Sequence, residues 1–399
     1  MNSYIKKLKG LSIKKIKTRL KIILDEILFY LFRIFPIKSN KIVFSNFIGR
    51  GYGDNPKYIA EEIIKQNLNY DMVWLVDKEI GDVKTIPSEI RVVEYGTFKA
   101  IYELATAGIW IDNVRKSEYI RKRKNQYYIQ TWHGGLGIKK IEGDVEEALS
   151  KGYLNMAKKD SKMIDLMISN STYLTDLYKR AFWYDGEILE CGCPKNDILF
   201  NYNKNISEKV HKYYGVSKDK KILLYVPTFR VDGSTDCYNI DFKSVLGTLK
   251  EKTKSEWVAI IRLHPNLIDK VDFISYDENI INGTLYPDMV ELAIASDALI
   301  SDYSSCVFDS EMLGIPTFIY ASDKESYMND RGFYFQLEEL PFLIAEDNEQ
   351  LMNNIINFDM EKYKLKIEEF HNKVGLKESG KAAKLIVEKI KSLNNEVED

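Results

Sequence analysis

The chain has 399 residues, 45% of them hydrophobic, which is too long for one ordinary core and long enough for two. Its 57 basic and 59 acidic side chains leave a formal charge of -2, so no overall basic field draws the molecule onto nucleic acid. Cys191, Cys193, Cys237 and Cys306 show neither the density of a disulfide scaffold nor paired metal spacing; they suit packing in a reducing compartment.

Charge is uneven at the front of the chain. Lys6, Lys7, Lys9, Lys14, Lys15, Lys17, Arg19 and Lys21 precede any acid, and Asp25 and Glu26 are the sole acids before Asp54. The apolar stretch 22–35 that follows has about 14 residues and carries charges, so it is too short to span a bilayer. Basic residues ahead of an aromatic, amphipathic helix predict a segment lying on an anionic membrane surface, each cation contributing about 1 kcal/mol there. Packing of the same helix on the N-terminal lobe is the other reading, and both are compatible. A signal peptide is disfavoured by Asp25, Glu26 and Arg33 inside the apolar run.

Beyond Pro36, short β-rich runs alternate with helical stretches, the signature of βα units around a mostly parallel sheet. Strands are predicted at 41–47, 71–76, 91–95, 108–112, 127–131, 165–169 and 187–191. After the polar segment 201–221 the pattern restarts with strands at 221–226, 257–262, 279–282, 298–301 and 316–320. A last helix near 377–393 is placed to cross back to the first lobe. The economical architecture is two doubly wound Rossmann-like α/β lobes facing a cleft, behind an amphipathic helical segment, with ligands beyond the carboxyl ends of the strands.

Four clusters stand at predicted strand ends. In "QTWHGG" (130–135), His133 follows a strand and precedes Gly134 and Gly135, whose backbone can approach a ligand; the imidazole titrates near neutrality and can accept a hydroxyl proton. In "RLHPN" (262–266), Arg262, His264 and Pro265 end another strand, and guanidinium with imidazole suits a phosphate. His211 and His371 lie in polar helical stretches and read as exposed and structural. In "SDYSSCVFD" (301–309), Asp302 ends a strand and Ser304 and Ser305 open a helix that also carries Asp309; a phosphate site and simple N-capping fit equally. In "ESYMNDRGFYF" (325–335), Arg331 suits either a second phosphate oxygen or an ion pair between lobes, and the tyrosines could flank a base. Thr228 and Arg230 of "YVPTFR" reach the same rim. Without a Walker loop, paired Asp-X-Asp or zinc spacing, no metal or other cofactor is expected, and arginines, histidines and the helix start would neutralise a diphosphate.

Taken in order, "NPKY" (55–58), "QTWHG", "GCPKND" (192–197), "YVPTFR", "RLHP", "SDYSSCVFD" and "RGFYF" resemble the CDP-glycerol glycerophosphotransferase family of teichoic acid and capsule synthesis, from about residue 41 onward. The resemblance implies a two-lobed fold like the B-type glycosyltransferases. It implies a membrane-surface segment at 1–38, an acceptor-side lobe at 39–205, a CDP-donor lobe at 206–375 and a C-terminal helix at 376–399. By position His133 resembles the catalytic base and His264 the group that holds the donor diphosphate, while Arg262, Asp302, Ser304, Ser305 and Arg331 line the donor pocket. Transfer of glycerol phosphate from CDP-glycerol to a lipid-linked polymer, releasing CMP at the cytoplasmic membrane face, is the implied activity. CDP-ribitol is the alternative donor, a nucleotide-sugar glycosyltransferase the alternative enzyme, and an anionic-polymer-binding assembly protein the non-enzymatic alternative. One departure from the family pattern stands beside the base: Gly135, Leu136, Gly137, Ile138 and Lys139 replace a Thr-Pro step, which bears on acceptor and polyol choice.

Overall fold

The computed structural model describes residues 2–79, 83–201, 205–230, 233–264, 267 and 273–395, with backbone alone for 2–15, 328–331 and 394–395. Pro265 lies outside the described residues, as does the side chain of Arg331.

Two wholly parallel sheets carry the fold. The first contains β1 (Lys38–Ser45), β2 (Asp71–Val76), β3 (Arg91–Glu94), β4 (Ala107–Asp112), β5 (Tyr127–Gln130), β6 (Leu166–Ser169) and β7 (Glu187–Glu190), in the order β3-β2-β1-β4-β5-β6-β7. The second contains β8 (Lys221–Val226), β9 (Trp257–Ile261), β10 (Ile280–Asn282), β11 (Ala298–Ser301), β12 (Thr317–Tyr320) and β13 (Leu343–Ala345), in the order β10-β9-β8-β11-β12-β13. β2, β4, β9 and β11 are buried along almost their whole length, because helices cover both faces of a parallel sheet; this is why they read as continuous apolar runs.

Each order reverses once, between β1 and β4 in the first sheet and between β8 and β11 in the second. Chains leaving such neighbours diverge to opposite faces and open a crevice at the carboxyl ends of the strands, where α/β proteins hold ligands. The two crevices are where the predicted clusters lie.

The N-terminal helix Asn2–Leu31 packs Phe29 against Trp110, with ring centroids 6.4 Å apart. It turns its acids inward. Asp25 is buried, which raises its carboxyl pKa, and Glu26 pairs with Arg121 at 3.0 Å. Outward between residues 16 and 31 face Ile16, Leu20, Ile23, Leu24, Ile27, Tyr30 and Leu31 together with Lys17, Thr18, Arg19 and Lys21. Among the described residues no helix is long and apolar enough to cross a membrane.

The C-terminal helix Ala382–Asn395 does return to the first sheet. Ala382, Ile386, Val387 and Ile390 are buried in one cluster with Ile42, Phe44, Ile59 and Trp74. Its N-terminus is held by Asp197, whose carboxylate accepts from Ala382 N (2.8 Å) and Ala383 N (2.7 Å). All four cysteines are buried free thiols.

Candidate active site

The crevice of the first sheet is bridged by two asparagines. Asn46 follows β1 and Asn113 follows β4; Asn113 Nδ2 donates to Asn46 Oδ1 (2.8 Å), and Asn113 Oδ1 accepts from Phe47 N (2.9 Å). The Asn113 carbonyl, so fixed, lies 2.8 Å from His133 Nδ1. A carbonyl can only accept, so Nδ1 carries the proton and Nε2 keeps the lone pair. Trp132 (4.3 Å) and Phe47 (5.1 Å) confine the imidazole between rings. Burial lowers its pKa, opposed by the Asn113 bond and the charge of Glu142 and reinforced by Lys139 and Lys195. At neutral pH His133 is therefore an uncharged base.

The turn that presents His133 is held on its other side by "NPKY". Trp132 has φ of 51°, costly for a bulky side chain, and its N–H donates to Gln130 Oε1 (2.9 Å) while its carbonyl accepts from Asn55 Nδ2 (3.1 Å). Gly135 is required by close approach, since a Cβ there would meet Asn170 Nδ2 at 2.4 Å. Beneath the turn, buried Arg115 forks onto Glu142 (3.0 and 2.5 Å) and reaches Asp160 (3.2 Å), whose carboxyl burial pushes up to about 6.

The crevice of the second sheet is closed by Asp302, which follows β11. It accepts from Thr228 N (2.9 Å), the Thr228 hydroxyl, Tyr303 N (2.6 Å) and Arg230 (2.9 Å). Arg230 is buried and also forks onto Asp323 (2.6 and 3.0 Å), with its guanidinium over Tyr327 (4.7 Å) and Tyr303 (5.1 Å). Thr228, Arg230 and Asp302 thus come together as the sequence implied, but they are spent on one another. Of the two tyrosines expected to flank a base, Tyr327 stacks on Tyr303 (4.1 Å) under the Arg230 guanidinium, whereas the Tyr334 hydroxyl donates to Asp144 (2.7 Å).

Arg262, by contrast, has no carboxylate ion pair among the described residues. Its guanidinium donates to the Tyr286 carbonyl (2.8 Å), and burial lowers its pKa against the pull of Asp288. His264 is half-buried, 5.6 Å from the Phe229 ring; burial lowers its pKa, and the charges of Arg50 and Lys139 lower it further. Ser305 precedes the helix Cys306–Met312 and makes no side-chain capping bond, and Ser304 Oγ accepts weakly from Cys306 N at 3.4 Å. A Cβ on Gly134 would lie 3.9 Å from Ser305 Oγ, so the His133 turn and the second lobe's helix start are neighbours.

Several ties cross the gap. Lys195 of "GCPKND" pairs with Asp309 at 2.5 Å, both largely buried, which commits the Asp309 carboxylate to the other lobe. Lys57 (2.6 Å) and Tyr58 (3.1 Å) of "NPKY" bind Asp288. The segment after Arg331 pairs backbone to backbone with the loop after His133: Lys140 N donates to Gly332 O (3.2 Å) and Tyr334 N to Ile138 O (2.8 Å). Asn113, Lys195 and Asp288 carry roles the sequence did not disclose; Lys195 had its position within "GCPKND" as a signal, and Asn113 and Asp288 lie in none of the quoted motifs. His211 and His371 are not exposed. His211 is buried, and His371 Nε2 is 2.8 Å from buried Glu311, because polar helices pack one face inward.

Across residues 27–392 the sequence matches the profile of CDP-Glycerol:Poly(glycerophosphate) glycerophosphotransferase. The chain belongs to that family. Among its glycerophosphotransferase relatives is the teichoic acid poly(glycerol phosphate) polymerase of Staphylococcus epidermidis, 32% identical over 88% of this chain and 50% of that one. The protein of the same name from Bacillus spizizenii is 30% identical over 91% of this chain and 95% of its own length. The chain therefore spans half of the first and nearly all of the second. Of the solved structures, a variant of the wall teichoic acid polymerase TagF soaked with CDPG superposes with a TM-score of 0.81 at 28% identity, covering 97% of this chain and 99% of that one. The glycerophosphotransferase motifs quoted above are thus the segments that build the two crevices and the ties between them.

Proposed function

We propose that the chain transfers glycerol phosphate from CDP-glycerol to a hydroxyl of a lipid-linked teichoic acid or capsular polymer and releases CMP. The observation that carries this reading is the imidazole of His133, its Nδ1–H committed to Asn113 O and its Nε2 left with a lone pair, on a turn whose Gly134 neighbours Ser305 at the second lobe's helix start. The acceptor O–H gives its proton to Nε2 as its oxygen attacks the β-phosphorus in line. The bond from that phosphorus to the bridging oxygen breaks, and CMP leaves with the electron pair. His264, Arg262, Ser304, Ser305 and Arg331 are assigned to the donor, and the Gly134 and Gly135 backbone to the approach of the acceptor. Thr228, Arg230 and Asp302 shape the second crevice through their bonds to one another, and Asp309 pairs with Lys195.

The outward face of the N-terminal helix, apolar and basic with its acids turned inward, supports attachment to an anionic membrane surface on the side where CDP-activated donors are made. Incubation of the protein with CDP-glycerol or CDP-ribitol and a lipid-linked acceptor tests the reading. CMP release with acceptor extension is expected for CDP-glycerol, and His133→Ala should lose at least ~10²-fold in turnover while binding donor normally. Preference for CDP-ribitol would change the polyol, a nucleoside diphosphate product would indicate a glycosyltransferase, and no turnover of any donor would leave a polymer-binding protein.

A further inference from the structure

The turn that carries His133 is braced from two sides, and both braces end on one carboxylate. On one side, a Cβ at Gly135 would meet Asn170 Nδ2 at 2.4 Å and Cys193 Sγ at 3.4 Å, so the backbone just after His133 lies directly on these two side chains. On the other, Asn55 Nδ2 donates to the carbonyl of Trp132 (3.1 Å), the residue before His133, while Asn55 Oδ1 accepts from Lys195 N (3.1 Å). The Lys195 bond thereby fixes which end of the Asn55 amide faces the turn.

Asn170, Cys193 and Asn196 all donate to Glu378. Its Oε1 accepts from Asn170 Nδ2 (3.0 Å), Asn196 Nδ2 (2.9 Å) and Cys193 N (3.2 Å), and its Oε2 accepts from Cys193 N (3.1 Å). Lys195 lies between Cys193 and Asn196, so Glu378 also sets the N–H that orients Asn55. Asn170 is 1% exposed and its Oδ1 has no hydrogen-bond partner among the described residues, which leaves the bond to Glu378 alone to orient its amide. The approach is close: Gly192 has φ of 93°, and a Cβ there would stand 2.6 Å from Glu378 Oε2. Burial raises the Glu378 carboxyl pKa, opposed by the bonds from Asn170, Asn196 and Cys193 N and by the charge of Lys195. Glu378 arrives on the segment 375–381. That segment leaves the helix Met360–Val374, whose His371 binds Glu311 of the second lobe, and enters the helix Ala382–Asn395 on the first sheet; Lys377 N pins it to Asn170 O (2.8 Å).

We propose that Glu378 is a positioning residue for the reaction. Through Asn170 and Cys193 beneath Gly135, and through Asn196, Lys195 N and Asn55 behind Trp132, it holds the His133 imidazole between its flanking rings and against Asn113 O. The inference rests on the role given to His133 in the preceding section, and Glu378 acts only through these neighbours. Its loss should therefore slow the step that His133 performs and leave donor binding alone, because a misplaced base lowers turnover rather than affinity.

Glu378→Ala, Glu378→Gln and Asn170→Ala are compared with wild type by CMP release with acceptor, by calorimetric binding of CDP-glycerol, and by NMR titration of labelled imidazoles, the His133 resonance being assigned by its loss in His133→Ala. Glu378→Ala should lose on the order of 10²-fold in kcat with the Kd for CDP-glycerol unchanged. The His133 midpoint should rise toward the ordinary 6.5 as the ring leaves its buried place, whereas loss of a negative charge through space would lower it. Glu378→Gln keeps one acceptor oxygen for the two amides and should recover most of the loss. Asn170→Ala leaves Glu378 bound to Asn196 and Cys193 and should repeat the shift even where Glu378→Ala fails to fold. Ile390→Ala, a cavity in the core under the C-terminal helix, should lower the melting temperature without changing kcat or the titration. A His133 midpoint unmoved or lowered in both alanine variants would overturn the proposal, as would CDP-glycerol binding weakened as much as turnover. If wild type releases no CMP from any donor, the reaction of the preceding section fails, and the titration still decides whether Glu378 positions the ring.

Discussion

Replacing Lys195 by methionine separates a tie between the lobes from a donor contact. The ammonium and the Asp309 carboxylate are 2.5 Å apart, with 8% and 12% of their side chains exposed, so solvent screens the pair little. The Lys195 charge also pulls down the pKa of Asp54, which burial pushes up to about 6. In Lys195→Met, Asp54 can take a proton at neutral pH, but Asp309 is left as a buried carboxylate without its partner. Breaking a buried pair from one side costs about 3–5 kcal/mol. For a chain of this size that lowers the melting temperature by about 4–6 °C. Lys195→Met/Asp309→Leu removes both charges and should return to within ~2 kcal/mol of wild type, because an apolar replacement of a whole pair is close to neutral. Thermal melts by circular dichroism, with the double-mutant comparison, measure this. A single variant melting like wild type, or Asp309→Asn weakening CDP-glycerol binding with no change in melting, would refute the account and return Asp309 to the donor pocket.

Three further outcomes are expected. The acid limb of the pH–rate profile should have its midpoint below 6.5, since burial lowers the His133 pKa and activity needs the neutral ring; Asn113→Asp, which sets a carboxylate beside the ring and loses the bond to Asn46, should move that limb to higher pH and lower turnover about tenfold. An unmoved limb would show that the Asn113 side chain does not set the charge felt by His133. Burial pushes the Glu311 carboxyl up to about 7, so its contribution to stability is present below about 4.5 and lost as pH rises through 7; Glu311→Gln should be more stable than wild type at pH 8 by up to roughly 3 kcal/mol and no more stable at pH 4.5, read from urea melts. Changing Leu20, Leu24 and Ile27 to serine should release the protein from sedimenting phosphatidylglycerol vesicles at least ~10²-fold, each side chain contributing about 1.5–3 kcal/mol if buried in lipid, without altering its melting temperature; sedimentation like wild type would count against membrane contact.

The sheets were legible because their central strands are buried on both faces and so appear as apolar runs. β13 escaped notice because Leu343–Ala345 is three residues long, and β1 begins at Lys38, earlier than its apolar part. His133 and His264 were legible as histidines at strand ends. The partners that define the site were not, because they are distant in sequence: Asp323 lies 93 residues from Arg230, Asp309 114 from Lys195, and Glu311 60 from His371. Asn113 was invisible for a different reason. It fixes the histidine tautomer through its backbone carbonyl, and every residue has one.

The strand-like bridge between Ile138–Lys140 and Gly332–Tyr334, the Lys195–Asp309 pair and the grip of Lys57 and Tyr58 on Asp288 all lie beside the reacting groups. A wide hinge opening would have to rupture every one of these at once, including charges that are dear to expose singly. A ligand of this crevice would then enter and leave along the unsutured edge of the slot rather than through a jaw that swings open.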